Sequence, residues 1–372
     1  MDKNLSYFKL KETIDNPLRI FFLCGSFFDD FNQEKLDKRI VLKKYIESMN
    51  SSYKCLILEE HFMFRNFKDK LNYNDINMRS LKSIEVLTSF MSDRVIVFHE
   101  SISTAAEIGL FSSDKTVSEK LIILAPDTYS TEEDVITGFM KLAYNNGFFP
   151  EYNLEIIRYY PGRYFYEVSS DFIKPHTYFV DNALGADLQS RLINTLSMGK
   201  KELVIEKSNI FNMNNNKISK YRITGKQIEV VLNLEHLVIL LTSLFTVDDI
   251  RVALRTPISN SNGGRMEKRK RVLFKVISVL KQKLFEFIHR SVISEEPSLK
   301  SEKISIEVLY KDINISSAVS YFIYVMYGIK MIDINSANTK LIITNEFNSI
   351  LTRYEGLIVA PTDGGLAEVL NP

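Results

Sequence analysis

Short apolar runs alternate with amphipathic segments along the first 160 residues of the chain. The runs have the length of buried strands and lie at Arg19–Cys24, Lys54–Leu58, Arg94–Phe98, Leu121–Pro126 and Glu155–Tyr159. Between most of them, apolar residues recur three or four positions apart, which indicates helices. Strands that are apolar throughout and separated by helices are typical of a parallel sheet covered on both faces. We therefore predict a doubly wound α/β domain over residues 1–160.

The hydrophobic pattern changes after Pro161. A mixed, aromatic stretch resembles a connector, and the pattern that follows predicts mainly helices. These predicted helices cover residues 188–198, 227–245, 247–254 and 266–291. Polar, Asn-rich segments between them indicate loops. We therefore predict a connector and helical region over residues 161–300.

The last segment has a third pattern. A predicted helix over Ile304–Asp312 is followed by a second over Ser316–Tyr327, with Gly328 as its C-cap. Two short strands then flank a polar tip at Asn335–Asn338, which indicates a hairpin. Two helices and a hairpin are the outline of a winged helix-turn-helix. We therefore predict a winged-helix-like domain over residues 301–372.

Composition narrows the class of protein. The net charge is +1, so no overall field favours nucleic acid or membrane, and a basic surface must be local. The two cysteines, Cys24 and Cys55, lie in apolar runs, which indicates buried thiols in a reducing compartment. The first residues lack the apolar core of a signal peptide, and no run has the length of a membrane span. We expect a cytoplasmic protein without a membrane partner.

The most informative stretch is VIVFHESISTAAEIGLFSS at Val95–Ser113. A buried strand leads into a polar loop and then a predicted helix opening at Ala105, the arrangement that borders a ligand crevice in α/β sheets. Glu107 falls in the first turn of that helix and is the candidate catalytic residue. The alternative is a capping box, in which Thr104 caps the helix and Glu107 bonds back to its amide.

Other strand ends also deliver polar or permissive residues to the same edge of the sheet. The candidate substrate-binding residues are Gly25, Ser26, Phe27, Glu59, Glu60, Glu100 and Ser101. Several carboxylates around one crevice suit a reaction that passes through a positively charged sugar. Each has a plainer explanation, such as a solvated loop for Glu59 and Glu60 or a simple turn for Gly25. Phosphate-binding loops, a dinucleotide fingerprint, a serine nucleophile elbow and metal-ligand spacing are all absent.

The segments FLCGS at 22–26 and VIVFHESISTAAEIGLFS resemble the nucleoside 2-deoxyribosyltransferase family, most closely its diverged members that serve as effector proteins of bacterial retrons. That resemblance implies a deoxyribosyltransferase-like fold followed by a helical region and a winged helix. It also implies that Glu107 is a nucleophile that attacks the anomeric carbon, with Glu100 and Ser101 in the preceding loop. The loop His99–Ala106 lacks the glycine of metabolic transferases, which favours hydrolysis of a larger nucleotide such as NAD. NAD is then a substrate, and no cofactor or metal is expected.

A second candidate site is a basic helix in the second half. Its candidate nucleic-acid-binding residues are Lys268, Arg269, Lys270, Arg271 and Lys275. Lysine and arginine on one helix suit contacts to phosphates with little sequence preference, although such runs are often only a solvated face. By the resemblance, the ligand would be the msDNA of a retron with its reverse transcriptase. The helix Ser316–Tyr327 has no Arg or Lys, so we expect a docking role for it and no base readout.

Three hypotheses follow from these patterns and from the family resemblance. The leading one is a retron-type antiphage toxin, an N-glycosidase of NAD or a related nucleotide that is held inactive by the reverse transcriptase–msDNA complex. The second is a metabolic nucleoside 2-deoxyribosyltransferase or hydrolase. The third is a non-catalytic nucleic-acid-binding regulator, in which Glu107 only caps a helix. Assembly into a homo-oligomer is left open.

Overall fold

The computed structural model describes residues 6–25, 36–61, 80–126, 154–159, 179–180, 182–209, 218–258, 264–299, 303–309 and 313–359. The chain forms two compact units. The parallel-sheet unit is Leu18–Gly199, and the mixed-sheet unit is Met1–Pro17 together with Lys200–Pro372. The sequence predicts boundaries near residues 160 and 300, whereas these units divide the chain at Pro17–Leu18 and Gly199–Lys200.

The strands, in chain order, are β1 (Tyr7–Phe8), β2 (Lys11–Ile14), β3 (Arg19–Cys24), β4 (Tyr53–Leu56), β5 (Arg94–Phe98), β6 (Leu121–Pro126), β7 (Glu155–Tyr159), β8 (Phe179–Val180), β9 (Ala183–Leu184), β10 (Lys201–Lys207), β11 (Ser219–Thr224), β12 (Gln227–Leu232), β13 (Lys303–Val308), β14 (Ile332–Ile334), β15 (Leu341–Ile343) and β16 (Ile358–Val359). The helices are α1 (Lys38–Met49), α2 (Leu58–His61), α3 (Leu81–Met91), α4 (Ile102–Ser112), α5 (Lys115–Ser118), α6 (Ala186–Leu196), α7 (Leu234–Leu244), α8 (Asp248–Arg255), α9 (Arg265–Glu295), α10 (Ile315–Gly328) and α11 (Asn345–Leu351), and a 3₁₀ helix follows at Thr352–Leu357. None of the helices that the structure describes is both long and apolar enough to cross a membrane.

The predicted parallel sheet is confirmed. Its five strands lie in the order β4-β3-β5-β6-β7, and every neighbouring pair is parallel. Four of them have the predicted bounds, and the remaining one, β4, runs over Tyr53–Leu56 and leads into the short helix α2. All six residues of β3 are buried. A strand buried on both faces needs apolar side chains at every position, which is why β3 lacks alternation.

Helices cover both faces of this sheet. On one face, Phe21 and Leu23 of β3 share a core with Leu42 of α1 and Leu188 of α6. On the other face, the ring of Phe22 lies edge-on to Phe111 of α4, with 6.0 Å between the ring centroids. Helix α6 lies beyond residue 160, yet its apolar side packs into this core. Burial of that side explains why the parallel-sheet unit extends to Gly199.

The strand order places a topological switch point between β3 and β5. From β3, the chain proceeds first to β4 on one side and then crosses to β5 on the other. At such a point the loops that leave the two central strands diverge and open a crevice beyond their carboxyl ends. Gly25 follows β3, and Glu100 and helix α4 follow β5. The structure therefore brings Gly25, Glu100 and Ser101, three of the predicted strand-end residues, to one edge of the sheet.

The mixed-sheet unit holds a five-stranded sheet that the sequence does not predict. Its order is β13-β12-β11-β10-β2, with β10 parallel to β11, β12 parallel to β13, and antiparallel pairing elsewhere. The predicted helix over residues 227–245 is wrong in its first third, because Gln227–Leu232 is strand β12. The predicted helix over Ile304–Asp312 is also wrong, because Lys303–Val308 is strand β13. There Ile306 and Val308 are buried on alternate positions, which is the period of a strand.

The carboxyl-terminal hairpin is confirmed, but a winged helix is not. Strands β14 and β15 pair antiparallel, and Asn338 adopts a left-handed φ of 55° at their tip. Of the two helices expected before them, the first is strand β13. Gly328 is the last helical residue and not the C-cap. The left-handed residue is Lys330, with bonds from its amide to Tyr327 O (3.1 Å) and from the Met331 amide to Met326 O (2.9 Å). These two bonds form a Schellman motif.

Candidate active site

Helix α4 begins earlier than the sequence predicts, and this changes the position of Glu107. Ser101 is the N-cap, and its side-chain oxygen accepts from the Thr104 amide at 3.3 Å. The Thr104 hydroxyl oxygen accepts from the Ser101 amide at 3.0 Å, which completes a capping box. The predicted box between Thr104 and Glu107 is therefore wrong, and the helix does not open at Ala105. Glu107 lies in the second turn, where it has no capping role.

The Glu107 carboxylate is half-buried. Its Oε2 atom is inaccessible to water and accepts no hydrogen bond from the described residues. Burial, followed by the negative charges of Glu85 and Glu59, raises the pKa of Glu107 to about 8, while Arg39 acts in the opposite direction. Buried carboxylate oxygens of structural side chains usually accept a hydrogen bond. A strongly raised pKa is more typical of a carboxyl group at a functional site. Glu107 is therefore the carboxylate of this site that a structural role explains least well.

Glu85 on α3 is a second perturbed carboxylate, and the sequence does not single it out. Burial and the charge of Glu59 raise the pKa of Glu85 to about 7. Cys24, the last residue of β3, lies beneath the same charges, because burial and the charges of Glu107, Glu85 and Glu59 raise the pKa of its thiol. These three carboxylates, the acidic cluster, therefore gather over the carboxyl end of β3.

Arg39 of α1 is the cation of this site. Its side chain is only 2% exposed, and Nη1 bonds Glu59 Oε1 at 2.8 Å. Asp37 accepts from Nε at 3.1 Å and from Nη2 at 3.0 Å. A Cβ at position 25 would lie 3.0 Å from Arg39 Cδ and Nε. Gly25, predicted to bind substrate, is thus required for the close approach of Arg39.

The other predicted carboxylates have partners of their own. Glu60 of α2 pairs with Lys43 of α1 at 2.7 Å. Glu100 accepts from the hydroxyl of the buried Tyr159 and from Lys38 Nζ, at the carboxyl ends of β5 and β7. Burial and the bond to Glu100 raise the pKa of Tyr159. Glu100 therefore belongs to a neighbouring polar group at the same edge of the sheet.

Two predicted residues, Ser26 and Phe27, lie outside the described residues. Ser101 binds the helix amide, as described above. Within the described part of the chain, no three His, Cys, Asp or Glu side chains lie close enough to hold a metal ion. The acidic cluster is therefore close enough for mutual electrostatic influence without converging on one metal-binding point.

The predicted basic helix exists as the first turns of α9. At least three of its five cations make bonds within the protein. Arg269 Nε donates to Asn338 Oδ1 at 3.0 Å, Lys275 Nζ donates to the Thr256 carbonyl at 2.7 Å, and Arg271 pairs with Glu267 at 2.6 Å. The other two, Lys268 and Lys270, are partly exposed. Binding of nucleic acid by this helix stays a prediction.

The fold and this edge of the sheet define the chain as an α/β protein with a cluster of carboxylates at a switch point. A family model described as STM3845 retron effector protein matches residues 35–358, and the chain belongs to that family. No curated protein matches the chain with significant similarity. Membership assigns the chain a retron-associated effector role, which agrees with the family resemblance of the sequence.

Proposed function

We propose that this effector is an N-glycosidase in which Glu107 attacks the anomeric carbon of NAD or a related nucleotide. The observation that carries the proposal is the state of Glu107. Its carboxylate is half-buried at the switch point, has an unbonded Oε2, and takes no part in capping its helix. The hypothesis of a non-catalytic regulator relied on a capping role for Glu107. Ser101 and Thr104 form the capping box instead, so this argument no longer supports that hypothesis.

The chemistry follows two steps. A Glu107 oxygen forms a bond to C1′ of the ribose while the bond from C1′ to the base breaks. In NAD the departing nicotinamide takes the bonding electron pair and becomes neutral, so its departure requires no proton. Water then attacks C1′ and releases Glu107, and a carboxylate must accept the proton of that water. Glu85, whose pKa is raised to about 7, is suited to hold that proton.

The electrostatics of the acidic cluster favour a cationic substrate. With a pKa of about 8, Glu107 carries a proton at neutral pH for most of the time when the crevice is empty. A nicotinamide ring bears a positive charge, and so does the sugar in the transition state. Either charge favours the ionised carboxylate. A neutral deoxynucleoside brings no such charge in its ground state, so we place NAD ahead of the substrates of a metabolic transferase.

The retron partners belong to the same proposal. A toxin that consumes NAD must be restrained until it is needed, and in a retron the reverse transcriptase with its msDNA is present to restrain it. Lys268 and Lys270 of α9 are partly exposed, and we propose that they contact phosphates of msDNA. Expression with and without the retron partners tests this part, with cell viability and NAD content as readouts.

The enzymatic test is mass spectrometry of nucleotides after incubation of the full chain with NAD and with a panel of deoxynucleosides. The matched variants are Glu107→Gln and Glu155→Gln, the latter an exposed carboxylate of the same unit. We expect wild type and Glu155→Gln to release nicotinamide, and Glu107→Gln to lose at least about a thousandfold in rate. Base exchange among deoxynucleosides would support the metabolic alternative. Equal NAD cleavage by wild type and Glu107→Gln would refute the proposed role of Glu107.

A further inference from the structure

Arg39 lies at the centre of the site, yet it is too deeply buried to bind substrate. Its side chain is 2% exposed, and its guanidinium is occupied by Asp37 on one side and Glu59 on the other. A buried arginine with two carboxylate partners could be a purely structural tie between α1 and α2. Its position against Gly25, at the end of the central strand β3, points to a more specific role.

The guanidinium of Arg39 is confined by Gly25 on one side and by its bonds to Asp37 and Glu59. Any side chain at position 25 would bring Cβ within 3.0 Å of Arg39 Cδ and Nε and 3.2 Å of Cζ. Asp37, the N-cap of α1, bonds both Nε and Nη2, and this bidentate contact sets the plane of the guanidinium. Nη1 is left to hold Glu59 at 2.8 Å. The cation and one member of the acidic cluster are thereby held together.

The charged groups around Glu107 come from several elements. Glu85 faces it from α3, Glu59 from α2 and Arg39 from α1, with Cys24 below them at the end of β3. Among the described groups that shift the pKa of Glu107, Arg39 is the one that favours its ionised form.

The remaining described strands and helices that pack most closely against α4 carry their charges away from Glu107. Strands β5 and β6 also pack against α4. Arg94, the ionisable residue of β5, lies at the opposite end of that strand, and β6 has none. Lys115 of α5 follows the far end of α4.

We propose that Arg39 is a positioning residue of the Glu107 site, which fixes a positive charge beside the acidic cluster and ties up Glu59, so that Glu107 can react as an anion. This inference rests on the proposed function for its consequence in catalysis. The effect of Arg39 on the titration of Glu107 can be measured without any substrate. Arg39 acts through Glu59 and through its field, and touches neither substrate nor reacting atoms.

The test uses variants of opposite expected sign in the full chain. Arg39→Gln removes the cation, and Glu59→Gln removes the carboxylate that opposes ionisation of Glu107. We expect Arg39→Gln to move the midpoint of the pH–kcat/KM profile for NAD upward by about one pH unit, which is roughly a tenfold loss near neutral pH that recovers at high pH. We expect Glu59→Gln to move the midpoint downward, and Arg39→Lys, which keeps the charge but loses the bidentate contact to Asp37, to lie between wild type and Arg39→Gln.

Gly25→Ala provides a geometric test that retains every charge. The added methyl group must displace the guanidinium, so the midpoint should move in the same direction as for Arg39→Gln. Should Arg39→Gln fail to fold, Gly25→Ala and Glu59→Gln still form a pair of variants whose midpoints are expected to shift in opposite directions. A purely structural Arg39 would lower the rate at all pH values without moving the midpoint, which would overturn the inference.

A substrate-free readout separates this inference from the proposed function. Carboxyl ¹³C NMR of glutamate-labelled protein reports the titration of Glu107 directly, with its signal assigned by its loss in Glu107→Gln. The same opposite shifts are expected there, whether or not NAD is cleaved. Shifts of equal sign in Arg39→Gln and Glu59→Gln, or none, would refute the role of Arg39 even in an active enzyme.

Discussion

The half-buried Glu107, whose Oε2 accepts no hydrogen bond from the described residues, leads to a prediction about stability that is independent of any substrate. Its pKa rises from the ordinary 4.5 to about 8 in the folded protein, so the folded state holds this proton more tightly than the unfolded state does. The stabilising contribution is therefore complete below pH 4.5 and is lost as the pH rises through about 8. Glu107→Gln has no ionisable group at this position and should lose this part of the pH dependence.

The magnitude follows from the two pKa values. At about 1.36 kcal/mol per pKa unit, the upper bound is about 5 kcal/mol. Because Glu107 is partly exposed and shares its field with Glu85, water and charge coupling reduce this, and we expect about 1–3 kcal/mol. At alkaline pH the Glu107→Gln variant should be more stable than wild type by that amount. In mildly acidic solution the two proteins should differ by less.

The two cysteines allow the unfolding of the parallel-sheet unit, which contains Glu107, to be measured. Cys24 and Cys55 are both buried in the parallel sheet and are the only cysteines of the chain. A pulse of a fast thiol reagent at increasing urea therefore reads the unfolding of the Leu18–Gly199 unit alone. Measurements from about pH 5 to about pH 9 give the pH dependence for wild type, Glu107→Gln and the control Glu155→Gln. An identical pH dependence in wild type and Glu107→Gln would show that the folded protein does not hold the Glu107 proton more tightly than the unfolded chain does.

Three further predictions concern the same unit. Ser101→Ala removes the N-cap of α4 and should lower the urea midpoint by an amount equivalent to about 1 kcal/mol, and a neutral effect would contradict the capping box seen with Thr104. Asp93→Ala leaves the buried Arg19 without the partner that it bonds at 2.7 Å and should cost about 3–5 kcal/mol, so a fully stable variant by the thiol assay would be inconsistent with that pair. For NAD cleavage, kcat/KM should rise with pH and level off above about 8, because only the ionised Glu107 attacks; a fall over this range would instead indicate a general acid.

The parallel sheet could be predicted because each strand carries its own signal. An apolar run such as Arg94–Phe98 is too short for a helix and too hydrophobic for a loop. A strand of a parallel sheet is buried on both faces, so its residues are apolar at nearly every position and the run could be assigned as a strand. The strands of the mixed sheet are not continuous apolar runs of this kind. In KISIEV at 303–308, apolar and polar residues alternate over only six positions, and the adjoining sequence allows a helix of similar length. Strand β12 runs almost directly into α7, so the two merge into one apolar stretch.

The site could be predicted only where residues follow strand ends. Glu107 was found because it comes soon after β5, although the helix starts at Ile102 and not at Ala105. The serine hydroxyl at 101 and the threonine hydroxyl at 104 bond each other's amides, and a T-x-x-E pattern hides that arrangement. Arg39 and Glu85 had no local signal, because a single charge within a helix resembles any solvated residue. Only the packing of α1 and α3 around β3 brings them to Glu107.

Capture of a covalent intermediate gives the sharpest test of Glu107 as the nucleophile. An NAD analogue with fluorine in place of the ribose 2′-hydroxyl destabilises the cationic transition states and slows the release of the glycosyl-enzyme. We expect wild type to release nicotinamide and to gain the mass of the remaining nucleotide on the segment 101–113, while Glu107→Gln gains nothing. Release of nicotinamide with the adduct on another residue, or undiminished cleavage by Glu107→Gln, would contradict this role of Glu107.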